Sequence, residues 1–212
     1  MQPLRRFLIV GIPALMTLPG CAAVGAIRGA AEPLDSYTLT PASLATPMRP
    51  TARHIVVQTP VASGALNSDR IVVMPSRLQV QYLAGARWVD PVPDLVQSLL
   101  TESLGNTGAF RFVGRTTTGP LPDYTILTEI HDFQAETTGN EAAPIVARVK
   151  LSLALMRESD GTIVASRRIS AVEPAADVDA AQVVAAFNAA TDKVLEQAVA
   201  WILSTFGLAG TS

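Results

Sequence analysis

Ile145-Val146-Ala147-Arg148-Val149-Lys150-Leu151-Ser152-Leu153-Ala154-Leu155-Met156 decides the fold class. Successive side chains of an extended strand point to opposite faces. Ile145, Ala147, Val149, Leu151, Leu153 and Leu155 therefore share one face, while Arg148, Lys150 and Ser152 share the other. One face is core; the other is wet or meets something polar. Asp160-Gly161 supplies a tight turn into Thr162 to Ser170, so these two strands are expected to form a hairpin. Just before them, Tyr124 to Phe133 reads as a further strand.

Working outward, two helices frame these strands. Pro91 and Pro93 suit a first helical turn, and Leu95, Val96, Leu99, Leu100 and Leu104 then recur at helical spacing, with Gly105 or Gly108 as the stop. Near the C-terminus Asp179 can cap a long helix with the stripe Val184, Phe187, Thr191, Leu195, Ala198, Ile202 and Phe206, ended by Gly207. On the N-terminal side, order begins at Tyr37-Thr38-Leu39, followed by a Pro-rich break through Pro50. His54 to Gln58 is a strand ended by Thr59-Pro60. Arg70 to Val73 and Leu78 to Leu83 make a second hairpin about a turn at Pro75-Ser76. Strands in antiparallel groups with only two helices predict an α+β fold, a largely antiparallel β-sheet packed against two main helices.

The N-terminus is of a different kind. Arg5 and Arg6 precede an apolar run from Phe7 to Leu18, the basic and hydrophobic parts of a secretory signal. The run is shorter than the roughly 20 residues that span a bilayer. Leu18-Pro19-Gly20-Cys21 follows, and Cys21 is the only cysteine in the chain. A small residue directly before a cysteine resembles the lipobox of bacterial lipoproteins, in which the sulfur takes a diacylglycerol and the leader is cut before it. Cys21 is thus the expected lipidation site, with fatty-acyl groups such as palmitate attached. Ordinary secretion with cleavage near Ala23 or Gly25, or an uncleaved anchor, are the alternatives. Buried acyl chains contribute about 0.8 kcal/mol per CH₂, so two or more hold a soluble domain stably at a membrane.

Three segments follow from this reading: a signal peptide over 1–20, a lipidated N-terminus and tether over 21–35, and the α+β domain over 36–208. Ala22 to Asp35 is rich in Ala and Gly without hydrophobic period. Its 14 residues reach at most about 46 Å and nearer 20 Å as a coil. Losing the leader removes two of the 16 basic side chains, leaving 14 against 18 acidic ones, a net charge of −4. That balance argues against nucleic acid, whose binding runs on neutralising Lys and Arg. With one cysteine no internal disulfide forms, and stability rests on packing. The 192 residues left suffice to bury a core.

Catalytic and cofactor signatures are missing. The chain has no G-x-x-x-x-G-K-[ST] and no G-x-G-x-x-G to cradle nucleotide phosphates, and no G-x-S-x-G elbow provides a nucleophile. His54 and His131 are the two histidines, both in predicted strands. His131-Asp132 reads as a solvated or hydrogen-bonded strand pair and not a metal site, because strand neighbours diverge and further ligands are lacking. No cofactor and no metal is expected.

Tyr37-Thr-Leu-Thr-Pro41, Ser68-Asp69-Arg70-Ile71-Val72-Val73, Tyr82 with Arg87-Trp88, Asp123-Tyr124 opening a strand that ends Asp132-Phe133, and Ala185-Ala186-Phe187 with Trp201 together resemble the PqiC-like group of ABC-type transport auxiliary lipoproteins, in order over about residues 36–206. The resemblance implies an accessory, non-catalytic role with a mammalian-cell-entry (MCE) transporter, whose separate ATPase and permease drive lipid movement between two membranes. The residues themselves have plainer readings. Asp69 and Arg70 are read as surface ion-pairing groups, and Tyr82, Trp88, Tyr124 and Trp201 as core or rim aromatics. An envelope scaffold or assembly lipoprotein and a periplasmic envelope hydrolase are the competing functions. Ala22 after Cys21 implies, by enteric-type sorting, the inner leaflet of the outer membrane, facing the periplasm. The partner expected is an MCE-domain subunit; whether the chain also forms a homo-oligomer is left open.

Overall fold

The alternating stretch becomes a 13-residue strand in a computed structural model that describes residues 33–43, 50–115, 119–139 and 145–208. Residues 1–32, with the leader, Cys21 and most of the tether, lie outside the described residues. In chain order the elements are β1 (Asp35–Tyr37), β2 (Thr51–Val57), β3 (Val61–Ala62), β4 (Arg70–Ser76), β5 (Gln79–Trp88), α1 (Val92–Asn106), β6 (Phe110–Arg115), β7 (Tyr124–Thr137), β8 (Ile145–Arg157), β9 (Thr162–Pro174) and α2 (Ala180–Thr205).

The sheet is organised about β7. Along one edge β8 runs antiparallel over its whole length, and β9 runs antiparallel to β8. Along the other edge three strands take turns, all parallel to it: β2 beside Tyr124–Ile126, β3 beside Glu129 and Ile130, and β4 beside Gln134–Glu136. The chain thus climbs β7 in three steps before turning away into β5. β4 and β5 pair antiparallel, β1 joins β5 in parallel, and β6 joins β2 in parallel. The expected α+β arrangement of one sheet and two helices is what forms, and its long ladders are antiparallel. Its short ladders are parallel, which makes the whole a mixed sheet.

Alternation translates directly into burial. Val149, Leu151, Leu153 and Leu155 are fully buried on the strand that α2 packs against, and Phe187, Val194, Leu195 and Ile202 of α2 are buried in the same core. Each such side chain contributes about 1.5–3 kcal/mol on leaving water. Asp179 caps α2 as predicted, its Oδ1 accepting the Gln182 N–H at 3.0 Å, and Gly207 closes the helix in the left-handed region at φ 70°. Phe206 stands at the cap and not in the helix, where its ring meets Phe110 and Tyr124 edge-on. Gly161, at φ 68°, makes the β8–β9 turn, and Asp160 braces it by accepting from the Thr162 N–H and the Arg157 guanidinium. Among the described residues no helix is long and apolar enough to cross a membrane.

The β4–β5 turn falls two residues later than predicted. β4 continues through Pro75 and Ser76, and the reversal is at Arg77-Leu78. Proline lacks the ladder N–H, but β7 has stopped pairing β4 at Met74 and the β4–β5 register slips between Val73 and Ser76. Pro75 therefore occupies a position where no ladder bond is needed.

Candidate functional site

Neither helix packs on the outer face of β7, β8 and β9, and the register sorts that face into rows. Toward the β7 C-terminus the rows are ion-paired. Glu136 receives the Arg148 Nε at 2.9 Å, and Asp132 lies 3.9 Å from Lys150. Gln134 Nε2 donates to Glu136 Oε1 at 3.1 Å. The Arg148 hydrogen bond outweighs burial and holds the Glu136 carboxyl below its usual range.

The next rows have another character. Val61, Glu129, Ser152 and Arg168 stand side by side across four strands, with Leu127, Ala154 and Ser166 in the row beside them. Together with Arg167 they line a trough of about 580 Å³. Between the two regions the β7–β8 register shifts after Ile130, so that His131 is the extra residue of a bulge. Its Nε2 is 2.7 Å from Ser152 Oγ, and Arg168 Nε donates to the same oxygen at 3.3 Å. Glu129 Oε2 lies 3.8 Å from His131 Nε2. Among the described residues Arg167 and Arg168 have no carboxylate at ion-pair distance.

A serine beside a histidine invites a hydrolase reading, and the geometry argues against it. In nucleophilic triads the carboxylate orients the imidazole through the nitrogen that the serine does not use. Glu129 instead approaches the nitrogen that faces Ser152. Ser152 is also laddered to both neighbouring strands, so no pair of convergent backbone N–H groups forms an oxyanion hole beside it. The cluster can hold an anion or a hydroxyl.

A second exposed surface lies on the hairpin of β4 and β5. Leu78, Val80 and Tyr82 are 99%, 52% and 45% exposed at alternate positions. β1 pairs β5 only at Ala86–Trp88, leaving the outer edge of the preceding half unpaired among the described residues. The Arg70 guanidinium sits 4.9 Å over the Tyr82 ring.

The residues singled out in the sequence serve the fold. Trp88 is buried, with its backbone N–H given to the Asp69 carbonyl at 2.7 Å. Arg87 reaches Asp69 at 3.5 Å and Ser36 Oγ at 3.1 Å, and the Val89 N–H donates to the Tyr37 carbonyl at 2.8 Å. Tyr37, Asp69, Arg87 and Trp88 are thus joints between β1, β5 and the loop before β4. Asp123 Oδ2 accepts the His54 N–H at 2.7 Å, tying β2 to the start of β7. Tyr124 meets Phe206 and Arg53, and Trp201 is buried on α2. His54 and His131 lie far apart in the sheet, and among the described residues no group of three His, Cys, Asp or Glu side chains could hold a metal. The trough was not foreseen. Its sequence signal is Arg167-Arg168 on a strand whose outward partners carry no matching acid.

Comparison with known proteins places this architecture. A family model described as ABC-type transport auxiliary lipoprotein component matches residues 37–199. An uncharacterized protein of Bradyrhizobium diazoefficiens is 29% identical over 175 residues, covering 82% of this chain and 46% of that protein, so the chain spans about half the length of the curated relative it matches. A crystal structure of a protein from Xanthomonas campestris superposes with a TM-score of 0.71 at 26% identity, over 82% of this chain and 96% of that one. A crystal structure of an uncharacterized protein shares the fold at a TM-score of 0.54 and 15% identity, over 84% and 97% of the two chains.

Proposed function

Since the chain belongs to the family of ABC-type transport auxiliary lipoprotein components, we propose that it is a non-catalytic member of an MCE-type lipid transport system, held by a diacylated Cys21 to the inner leaflet of the outer membrane. The observation that carries this reading is the family match over most of the folded domain. The basic and apolar leader ending in Gly20-Cys21, with Ala22 behind it, supports the anchor and its membrane. The lack of an activated nucleophile at Ser152 and His131 supports a role without catalysis. The domain, and not its roughly 20 Å tether, makes the contacts. The apolar stripe Leu78, Val80 and Tyr82 on a partly free strand edge is a surface that an MCE subunit can cover.

Three measurements test this. Intact mass of the membrane-purified protein should show loss of residues 1–20 and added acyl mass on Cys21; an unmodified Cys21, or a chain beginning at Val24, overturns the anchor. In-cell crosslinking from sites on the domain, Val80 among them, should capture an MCE subunit. Deletion should give the same envelope-permeability defect as loss of the ATPase, with no further effect in the double deletion. Strictly additive defects, or crosslinks only to cell-wall enzymes, would favour a scaffold or hydrolase instead.

A further inference from the structure

We propose that the trough between β3 and β9 is a binding site for an amphipathic anion, a single acyl chain bearing a carboxylate or phosphate head. Its volume of about 580 Å³ lies within the ~300–1,000 Å³ typical of small-molecule sites. The register gives it two chemistries side by side. Val61, Leu127 and Ala154 form an apolar wall, with Val61 66% exposed. Ser152 and Arg168 form a polar end, and Arg167 lines it as well.

Charge decides the sign of the head. In the neighbouring rows Arg148 and Lys150 each face a carboxylate, at 2.9 and 3.9 Å. In the trough rows, among the described residues, the Arg168 side chain donates to the neutral Ser152 hydroxyl and has no carboxylate at ion-pair distance. Glu129, the one carboxylate among the lining residues, is turned to His131. The trough therefore keeps an unmatched guanidinium beside apolar surface, which suits a ligand that brings its own anion. On the trough floor β8 is laddered on both edges and offers a peptide strand no free row of backbone groups. This inference stands on the trough alone and does not depend on the transporter reading.

The full chain, purified in a neutral detergent, is photolabelled with a diazirine-bearing palmitate, and the labelled peptides are mapped by mass spectrometry. Label should concentrate within 127–129, 152–154 and 166–168. Unlabelled palmitate and lysophosphatidic acid should compete, and the stronger of the two identifies the head. Each methylene removed from the competitor should weaken it by up to about fourfold. Arg168→Glu should reduce labelling about tenfold, and Ala154→Phe, which fills the trough from an outward position, should abolish it with the melting temperature preserved. Competition by inorganic phosphate as strong as by palmitate, equal competition by lysophosphatidylcholine, label outside these segments, or indifference to both variants overturns the proposal. Failure here would leave the crosslinking and deletion results untouched.

Discussion

Phe187→Ala should be the most damaging single truncation in this domain, because Phe187 is where the long helix and two distant strands meet. Its ring stacks on Phe133 of β7 with centroids 5.3 Å apart and receives the edge of Trp88 of β5 at 5.3 Å, and Trp88 and Phe133 touch at 5.8 Å. All three rings are essentially inaccessible to water. Truncating a buried phenylalanine costs about 3–5 kcal/mol in transfer and cavity terms, and the aromatic pairs add about 0.5–1.5 kcal/mol each beyond area. A domain of this size has only about 5–15 kcal/mol in total. At about 2–4 °C per kcal/mol, the truncation term alone should lower the melting temperature by roughly 6–20 °C. Urea unfolding of the full chain followed by circular dichroism measures the loss. A cycle with Phe133→Leu should return a coupling of at least about 0.5 kcal/mol. A loss below about 1.5 kcal/mol, or strict additivity with Phe133→Leu, would refute the claim that the three rings act as one joint.

Other outcomes follow from single contacts. Asp179→Ala removes the N-cap of α2 and should cost about 0.5–2 kcal/mol, read as a lower melting temperature that Asp179→Ser largely restores. Glu136 titrates below its ordinary value of 4.5, so its contribution is present above that pH and is lost as pH falls through the lower folded value; Glu136→Gln should flatten the acid limb of the stability–pH curve, and an unchanged limb would show that Arg148 does not stabilise the carboxylate. Ser166→Glu places an acid two residues from Arg168 on the same strand face and should gain about 0–1 kcal/mol of stability while reducing palmitate labelling, whereas unchanged labelling would count against the anionic trough.

Period-two alternation made β8 legible, since a slip of one residue would expose Leu151 and Leu153 and bury Lys150, and the Asp160-Gly161 turn made β9 legible as its hairpin partner. The caps and the long helix were legible for the same local reason: Asp179 and Gly207 bracket the stripe that buries Phe187 and Leu195. The pairing along the second edge of β7 was not legible. Parallel contacts such as Ile55 with Tyr124 or Val72 with Gln134 join residues more than sixty positions apart, and nothing local encodes them. β6 escaped detection because Arg111 and Gly114 interrupt its hydrophobic run; the tip of the Phe112 ring lies 2.4 Å from where a Cβ on Gly114 would stand. The motif residues Asp69, Arg87 and Trp88 were visible as a set, but only the fold reveals them as joints. The trough was hidden because it depends on the bulge at His131 and on cross-strand rows, both properties of register.

That dependence also explains how one sheet face can carry two surfaces of different chemistry. A solvated antiparallel face is ordinarily stabilised by matching opposite charges across strands, and Asp132 opposite Lys150 does so directly, while Arg148, opposite Gln134, reaches diagonally to Glu136. Continuing the pattern would require an acid at Ser152, Ser166 or Ser170, the small positions around Arg168. Serine there gives up a fraction of a kcal/mol per pair and keeps the guanidinium available, while Glu129 Oε2 stands 3.8 Å from His131 Nε2. On the proposed reading the two features act together beside Val61, Leu127 and Ala154: the apolar wall would hold the chain of an amphipathic anion and Arg168 its head.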